Sequence, residues 1–245
     1  MTPTALITGG SSGIGKAIGL ELYSRQWNIV IASKSAHSLS KAARSFQLIS
    51  STGSFHAFQC DVSSEQSVHN LVQSFFLLHQ QLDLFIASAA IAKSLGSSRV
   101  FPHATATLPL SEWREIINTN LTGIFLTNKA VAKSMIHQGS GQILNICSST
   151  SRHGLRGQPY APAYCSSKYA VLGFTESLAL EVSPHGVTVQ SIFPGPVSTP
   201  LINDTALASL FNNKCITPSS LASTIADIYS LNTVVSISRP HFLPL

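Results

Sequence analysis

Short apolar runs and longer mixed segments alternate along this chain. The runs are Ala5 to Thr8, Ile29 to Ala32, Phe55 to Cys60, Leu84 to Ser88, Ile143 to Cys147, Val187 to Phe193 and Val234 to Ile237. Most are nearly continuous rather than alternating in polarity, the pattern of parallel strands covered on both faces. Between them lie amphipathic segments of helical length: Ile14 to Arg25, Ser38 to Ile49, Glu65 to Gln80, Glu112 to Met135, Tyr164 to Val182 and Ser219 to Tyr229. Such alternation predicts right-handed strand–helix–strand crossovers, and so an α/β fold with a doubly wound parallel sheet. No internal repeat or low-complexity linker interrupts the pattern, so residues 1–245 read as one domain.

Composition narrows the functional classes. Of 245 residues, 44% are hydrophobic and 10% charged, which predicts a packed globular protein whose surface relies on Ser, Thr, Asn, Gln and His. The net charge of +5 and a pI near 9.2 suit an anionic ligand, but Lys and Arg are scattered, which argues against nucleic acid. Cys60, Cys147, Cys165 and Cys215 form no C-x-x-C pair and are expected to be free thiols in a reducing compartment. The nine histidines are dispersed, so no catalytic metal is expected. The start, MTPTALITGG, lacks the pattern of a secretory leader, and no apolar stretch reaches membrane-spanning length. The expectation is a cytoplasmic protein with no membrane partner.

Three irregular stretches follow strands: residues 92–110, 152–163 and 194–218. All should lie at the carboxyl edge of the sheet, where ligands bind in such folds. The most distinctive loop is Gly9-Gly10-Ser11-Ser12-Gly13-Ile14-Gly15, between the first strand and the first helix. Glycines there allow a tight turn and close approach to a pyrophosphate, and the helix start supplies free N–H groups. Ser11 and Ser12 add hydroxyls.

This T-G-x-x-x-G-I-G spacing resembles the short-chain dehydrogenase/reductase family in its compact form, from Thr8 to about Pro240. The resemblance implies a Rossmann-like single domain. After the second strand, where an Asp or Glu would favour NAD, the chain has Ser33 and Lys34. A hydroxyl and a cation without a carboxylate point to NADP(H), with Lys16 able to add charge. Cys60-Asp61-Val62 matches the family's adenine-binding Asp, with Val62 beside it.

Tyr164-Cys165-Ser166-Ser167-Lys168 places Tyr and Lys on one helical face, where an ammonium is expected to lower the phenol pKa and ready it for proton transfer. The same Lys can reach the nicotinamide ribose. By resemblance, Ser148 is the catalytic Ser at the end of its strand, with Ser149 and Ser151 as alternatives, and Asn120 is the structural and proton-relay Asn. Pro194 and Gly195 resemble the family's P-G segment, with Val197 and Thr199 beside the carboxamide. The implied activity is hydride transfer between NADP(H) and a carbonyl or alcohol, as in 3-oxoacyl-thioester, steroid or small-ketone reductases. Leu155, Tyr160, Leu201, Leu207 and Phe211 are apolar candidates for the substrate pocket, and Arg152, His153 and Arg156 candidates for an anionic substrate group.

The family's N-N-A-G segment is replaced by Ala87-Ser88-Ala89-Ala90, which removes bracing Asn side chains and puts Ala89 near the ribose. A non-catalytic NADP(H)-binding sensor is the alternative; such a protein would be expected to lose Tyr or Lys, and both are present. A sugar-nucleotide epimerase of the superfamily would need a sizeable C-terminal substrate domain, for which the chain has no room. Apolar residues on more than one face of the helices Glu112 to Met135 and Tyr164 to Val182 predict a homodimer or homotetramer.

Overall fold

The computed structural model describes residues 2–92, 103–148, 159–203, 215–230 and 241–242. Its strands are β1 (Thr4–Thr8), β2 (Asn28–Ser33), β3 (Phe55–Gln59), β4 (Leu84–Ala87), β5 (Gly141–Ile146), β6 (Val187–Pro194) and β7 (His241–Phe242). They form one seven-stranded parallel sheet in the order β3-β2-β1-β4-β5-β6-β7. The helices are α1 (Gly13–Ser24), α2 (Ala36–Gln47), α3 (Glu65–Leu78), α4 (Leu110–Ile117), α5 (Gly123–Gln138), α6 (Pro162–Val182), the single turn α7 (Pro200–Asn203) and α8 (Pro218–Ser230). The strand expected at Val234 to Ile237 lies outside the described residues; the strand paired with β6 is His241–Phe242.

Two apolar layers sandwich the sheet, because successive residues of a strand face opposite sides. Leu6, Val30 and Phe85 pack with Phe75 of α3, Val131 of α5 and Val171 of α6. Ile7, Ile29 and Ile31 pack with Ile18 of α1, Phe46 of α2 and Ile225 of α8. Central strands are therefore covered on both faces: β1 and β4 are buried at every position, whereas edge strand β3 is only partly covered.

Chain order reverses between β1 and β4. Their carboxyl ends open a crevice there, into which the loops after both strands project.

One expectation needs correcting. The segment Glu112 to Met135 is not one regular helix. A π-helical turn, Asn118–Thr122, separates α4 from α5. Its extra residue shifts the apolar phase, so Ile116 and Ile124 are both buried within this chain. A search for 3.6-residue periodicity cannot see such a slip. Helix α2 also starts at Ala36 rather than Ser38, because the Ser35 side chain accepts from the Ser38 N–H at 3.1 Å and caps it.

A buried polar chain ties four elements together. Asn128 of α5 and Asn145 of β5 exchange side-chain hydrogen bonds at 2.9 and 3.1 Å. Asn145 Nδ2 also donates to Thr175 Oγ1 of α6 at 3.0 Å, and Ser191 of β6 donates to the same oxygen at 3.0 Å. Thr175→Val conserves shape but strands these two buried donors. It should lower the unfolding free energy by about 2 kcal/mol, read as a lower urea midpoint at unchanged slope.

Candidate active site

The crevice holds a cavity of about 500 Å³. Its floor begins at the Gly-rich turn. Gly9 has φ 69°, and a Cβ there would stand 2.7 Å from the Ala89 backbone nitrogen. Gly13 has φ 53° and faces the Thr199 methyl. Gly15 does not line the cavity. It lets α1 pack onto the turn, since a Cβ would meet the Gly9 carbonyl oxygen at 2.7 Å. Ser12 is the N-cap of α1 by position, yet its side chain makes no capping bond. Positive-φ glycines, a helix start and a hydroxyl not used for capping fit a pyrophosphate. Ser11, Ser12, Gly13 and Ile14 line the cavity with Gly9.

At the far end stand Ser33, Lys34, Asp61 and Val62, all on the cavity wall. Ser33 accepts from Ser11 Oγ at 2.8 Å. Lys34 Nζ pairs with Asp61 Oδ2 at 2.8 Å, so the two residues read separately from the sequence are partners. Burial raises the Asp61 pKa, but the Lys34 ammonium and the Ser63 donors outweigh it and hold the carboxyl below its usual range. Sequence reasoning missed Ser35 and Ser38, which line this end too. A polar helix start just after the second strand was the available signal.

The segment Ala87-Ser88-Ala89-Ala90 closes the middle. Ser88 Oγ lies against Gly15, and Ala89 and Ala90 line the cavity. Asn120, fully buried in the π-turn, clamps the adjoining backbone: its Oδ1 accepts from Ile91 N and its Nδ2 donates to Ile91 O, both at 2.8 Å. Asn120 Nδ2 also donates to Ser167 Oγ at 3.2 Å, and Ser167 donates to the Tyr164 carbonyl at 2.7 Å. Asn120 thus braces β4 against α6 from behind the wall.

Tyr164 and Lys168 both line the cavity. The side chain of Ser148, after β5, hydrogen-bonds the Tyr164 phenol. Lys168, 2% exposed, donates from Nζ to the Ile146 carbonyl at 2.9 Å, with Nζ 5.7 Å from the Tyr164 ring centre. The expected lowering of the phenol pKa is not what this arrangement produces. Burial pushes Tyr164 up to about 12, against the lowering effect of Ser148, while the Lys168 ammonium is directed at a strand carbonyl. Burial also lowers the Lys168 pKa. Cys147, read from the sequence only as a free thiol, lines the cavity and donates from Sγ to the Lys168 carbonyl at 3.1 Å.

On the third loop, Thr199 and Leu201 line the cavity with Pro200. Pro194, Gly195 and Val197 stand back from it. Pro194 ends β6, Gly195 N donates to the Phe242 carbonyl, and Val197 is buried beside Leu221 of α8. Tyr160 is exposed at φ 62°. Ser149, Ser151, Arg152, His153, Leu155, Arg156, Leu207 and Phe211 lie outside the described residues.

Residues 3–208 match the profile of the short chain dehydrogenase family. The chain belongs to that family. It is therefore an oxidoreductase of the short-chain dehydrogenase type. It is 33% identical over 195 residues to a 3-oxoacyl-[acyl-carrier-protein] reductase of a Synechocystis species, covering 80% of this chain and 74% of the relative. A short-chain dehydrogenase/reductase from Mycobacterium marinum superposes with a TM-score of 0.85 at 28% identity, over 98% of this chain and 93% of that one. An actinorhodin polyketide ketoreductase crystallised with NADPH gives 0.84 at 26% identity, over 99% and 96%. Among the described residues, no helix is long and apolar enough to cross a membrane.

The turn makes a specific demand on Gly9. Gly9→Ala adds a clash to an already left-handed backbone and should weaken nicotinamide dinucleotide binding at least about tenfold in a fluorescence titration. Gly139→Ala, at φ 72° with nothing within 4 Å, provides the control for strain alone.

Proposed function

We propose that this short-chain dehydrogenase is an NADPH-dependent ketoreductase acting on a 3-oxoacyl thioester, a steroid or a small ketone. One observation carries the reading: Tyr164 and Lys168 stand together on the wall of the cavity that the Gly-rich turn opens, with Ser148 beside the phenol. The Synechocystis relative and the polyketide ketoreductase bear names of the same reaction class. NADPH is favoured because Ser33 and Lys34 stand where an acid would select NAD.

When bound, a reduced nicotinamide supplies the hydride that reaches the carbonyl carbon. Ser148 holds the carbonyl oxygen, and Tyr164 donates its phenolic proton to that oxygen, giving the alcohol. Lys168, on the same cavity wall, would bind the nicotinamide ribose. Asn120 positions α6 through Ser167 and takes the relay role that the family resemblance assigns to it. Gly9, Ser11, Ser12, Gly13 and Ile14 hold the pyrophosphate, Asp61 and Val62 the adenine, and Ala89 and Thr199 the nicotinamide side. A panel of ketones, oxoacyl thioesters and sugars, followed by NADPH absorbance, tests the assignment; turnover of none of them rejects it.

Tyr164→Phe should cut turnover by about two to four orders of magnitude while dinucleotide binding stays nearly intact. A phenol held up to about 12 is protonated throughout the neutral range. Ketone reduction, which uses the protonated form, should be flat from pH 6 to about 9. Alcohol oxidation needs the phenolate, so its kcat/KM should climb close to tenfold per pH unit over the same interval. Equal pH dependence in both directions would contradict the role.

A two-fold dimer or a tetramer is proposed as well. Several of the apolar residues first assigned to an interface are buried internally, but Phe125 is 44% and Leu180 79% exposed. Replacing both, Phe125→Ser with Leu180→Glu, should shift the mass seen in light scattering towards the monomer. A parent that is monomeric at micromolar concentration would refute the assembly.

A further inference from the structure

The ion pair between Lys34 and Asp61 has a consequence for ligand choice, and this inference rests on the NADPH reading above. Both residues are on the cavity wall, at the carboxyl ends of neighbouring strands β2 and β3. Lys34 is the cation near the ribose 2′ position, and Asp61 is the acid assigned to the adenine edge. Each uses for the other the atom that a ligand would need: Nζ and Oδ2, at 2.8 Å.

The rest of the pair's surroundings is fixed. Gln59 Nε2 donates to the Lys34 carbonyl at 3.0 Å, so the Lys34 backbone is tied to β3 and movement is left to its side chain. Asp61 Oδ1 accepts from Ser63 N at 3.0 Å and from Ser63 Oγ at 2.6 Å, so only Oδ2 can change partner. The pair is partly solvated, with Lys34 62% and Asp61 33% exposed, which makes it weak enough to be exchanged.

We propose that Asp61 is an internal counter-anion for Lys34, which a ligand must displace with its own 2′-phosphate. A ribose hydroxyl is neutral and cannot take the ammonium from a carboxylate. A phosphate monoester carries close to two charges at neutral pH, presents more acceptor oxygens and can. A ligand lacking the phosphate leaves the pair intact and gains no contact from Lys34.

A double-mutant cycle on the intact protein tests this, with NADPH and NADH as probes in fluorescence titrations. Asp61→Asn keeps Oδ1 for Ser63 and removes the counter-anion. It should raise the NADPH-over-NADH affinity ratio about threefold, as expected for release of an exposed pair. In a Lys34→Ala background, the same Asp61→Asn change should move the ratio by less than about 1.5-fold, because no ammonium remains to release. Taking the ratio cancels any adenine contact common to both cofactors. Equal effects in the two backgrounds would show that Asp61 acts on the phosphate through its field alone, and would overturn the inference. A fall in the ratio on Asp61→Asn would overturn it too. The preference of the unmutated protein is a separate readout: NADH binding more tightly there rejects the cofactor assignment, whereas the cycle still decides whether the pair is coupled.

Discussion

The site depends on holding β5 and α6 in one register. Ser148 follows the strand, and Tyr164 and Lys168 stand on the helix. The buried chain through Asn128, Asn145, Thr175 and Ser191 holds that register with directional bonds, where apolar packing alone would tolerate sliding. Lys168 and Cys147 add two more ties between the same elements, each ending on a backbone carbonyl. Polar contacts inside the core therefore help to fix Tyr164 and Lys168 relative to β5.

The electrostatic character of the site follows from the same burial. Burial raises the pKa of the Tyr164 phenol and lowers that of Lys168 beside it, so both shifts oppose ionisation. At the other end of the cavity the opposite holds: Lys34 and Asp61 are partly solvated and ionised together. The two ends of the cavity thus differ in kind: burial opposes charge at Tyr164 and Lys168, whereas an exposed ion pair stands at Lys34 and Asp61.

Local signals were legible in the sequence. The turn from Gly9 to Gly15 and the Tyr164–Lys168 spacing are written in adjacent residues, and a strand buried on both faces leaves a continuous apolar run. Relations between distant segments were not. The Lys34–Asp61 pair joins the ends of two strands 27 positions apart, which no periodicity encodes. The Tyr164 pKa was misjudged for a related reason: helical spacing places Lys168 near the ring, but only the fold shows that burial raises the phenol and that Lys168 Nζ is directed at the Ile146 carbonyl. Val197 illustrates the same limit, since its motif is recognisable while the side chain turns into the core beside α8.

The π-turn at Asn118–Thr122 makes the length of this region as consequential as its composition. One residue of regular helix corresponds to about 100° of rotation. Removing any single residue from the turn would let α4 run straight into α5 and swing everything downstream by that angle. Phe125 and Lys129 would then be carried round the axis, and Val131 and Met135 with them, off the sheet they now cover. The bulge is therefore a phase adjuster: it lets one helical rod direct Asn120 at the Ile91 backbone and Ser167 and, a turn later, an apolar stripe at the core. Related chains that vary freely in residue identity here should still keep the same count.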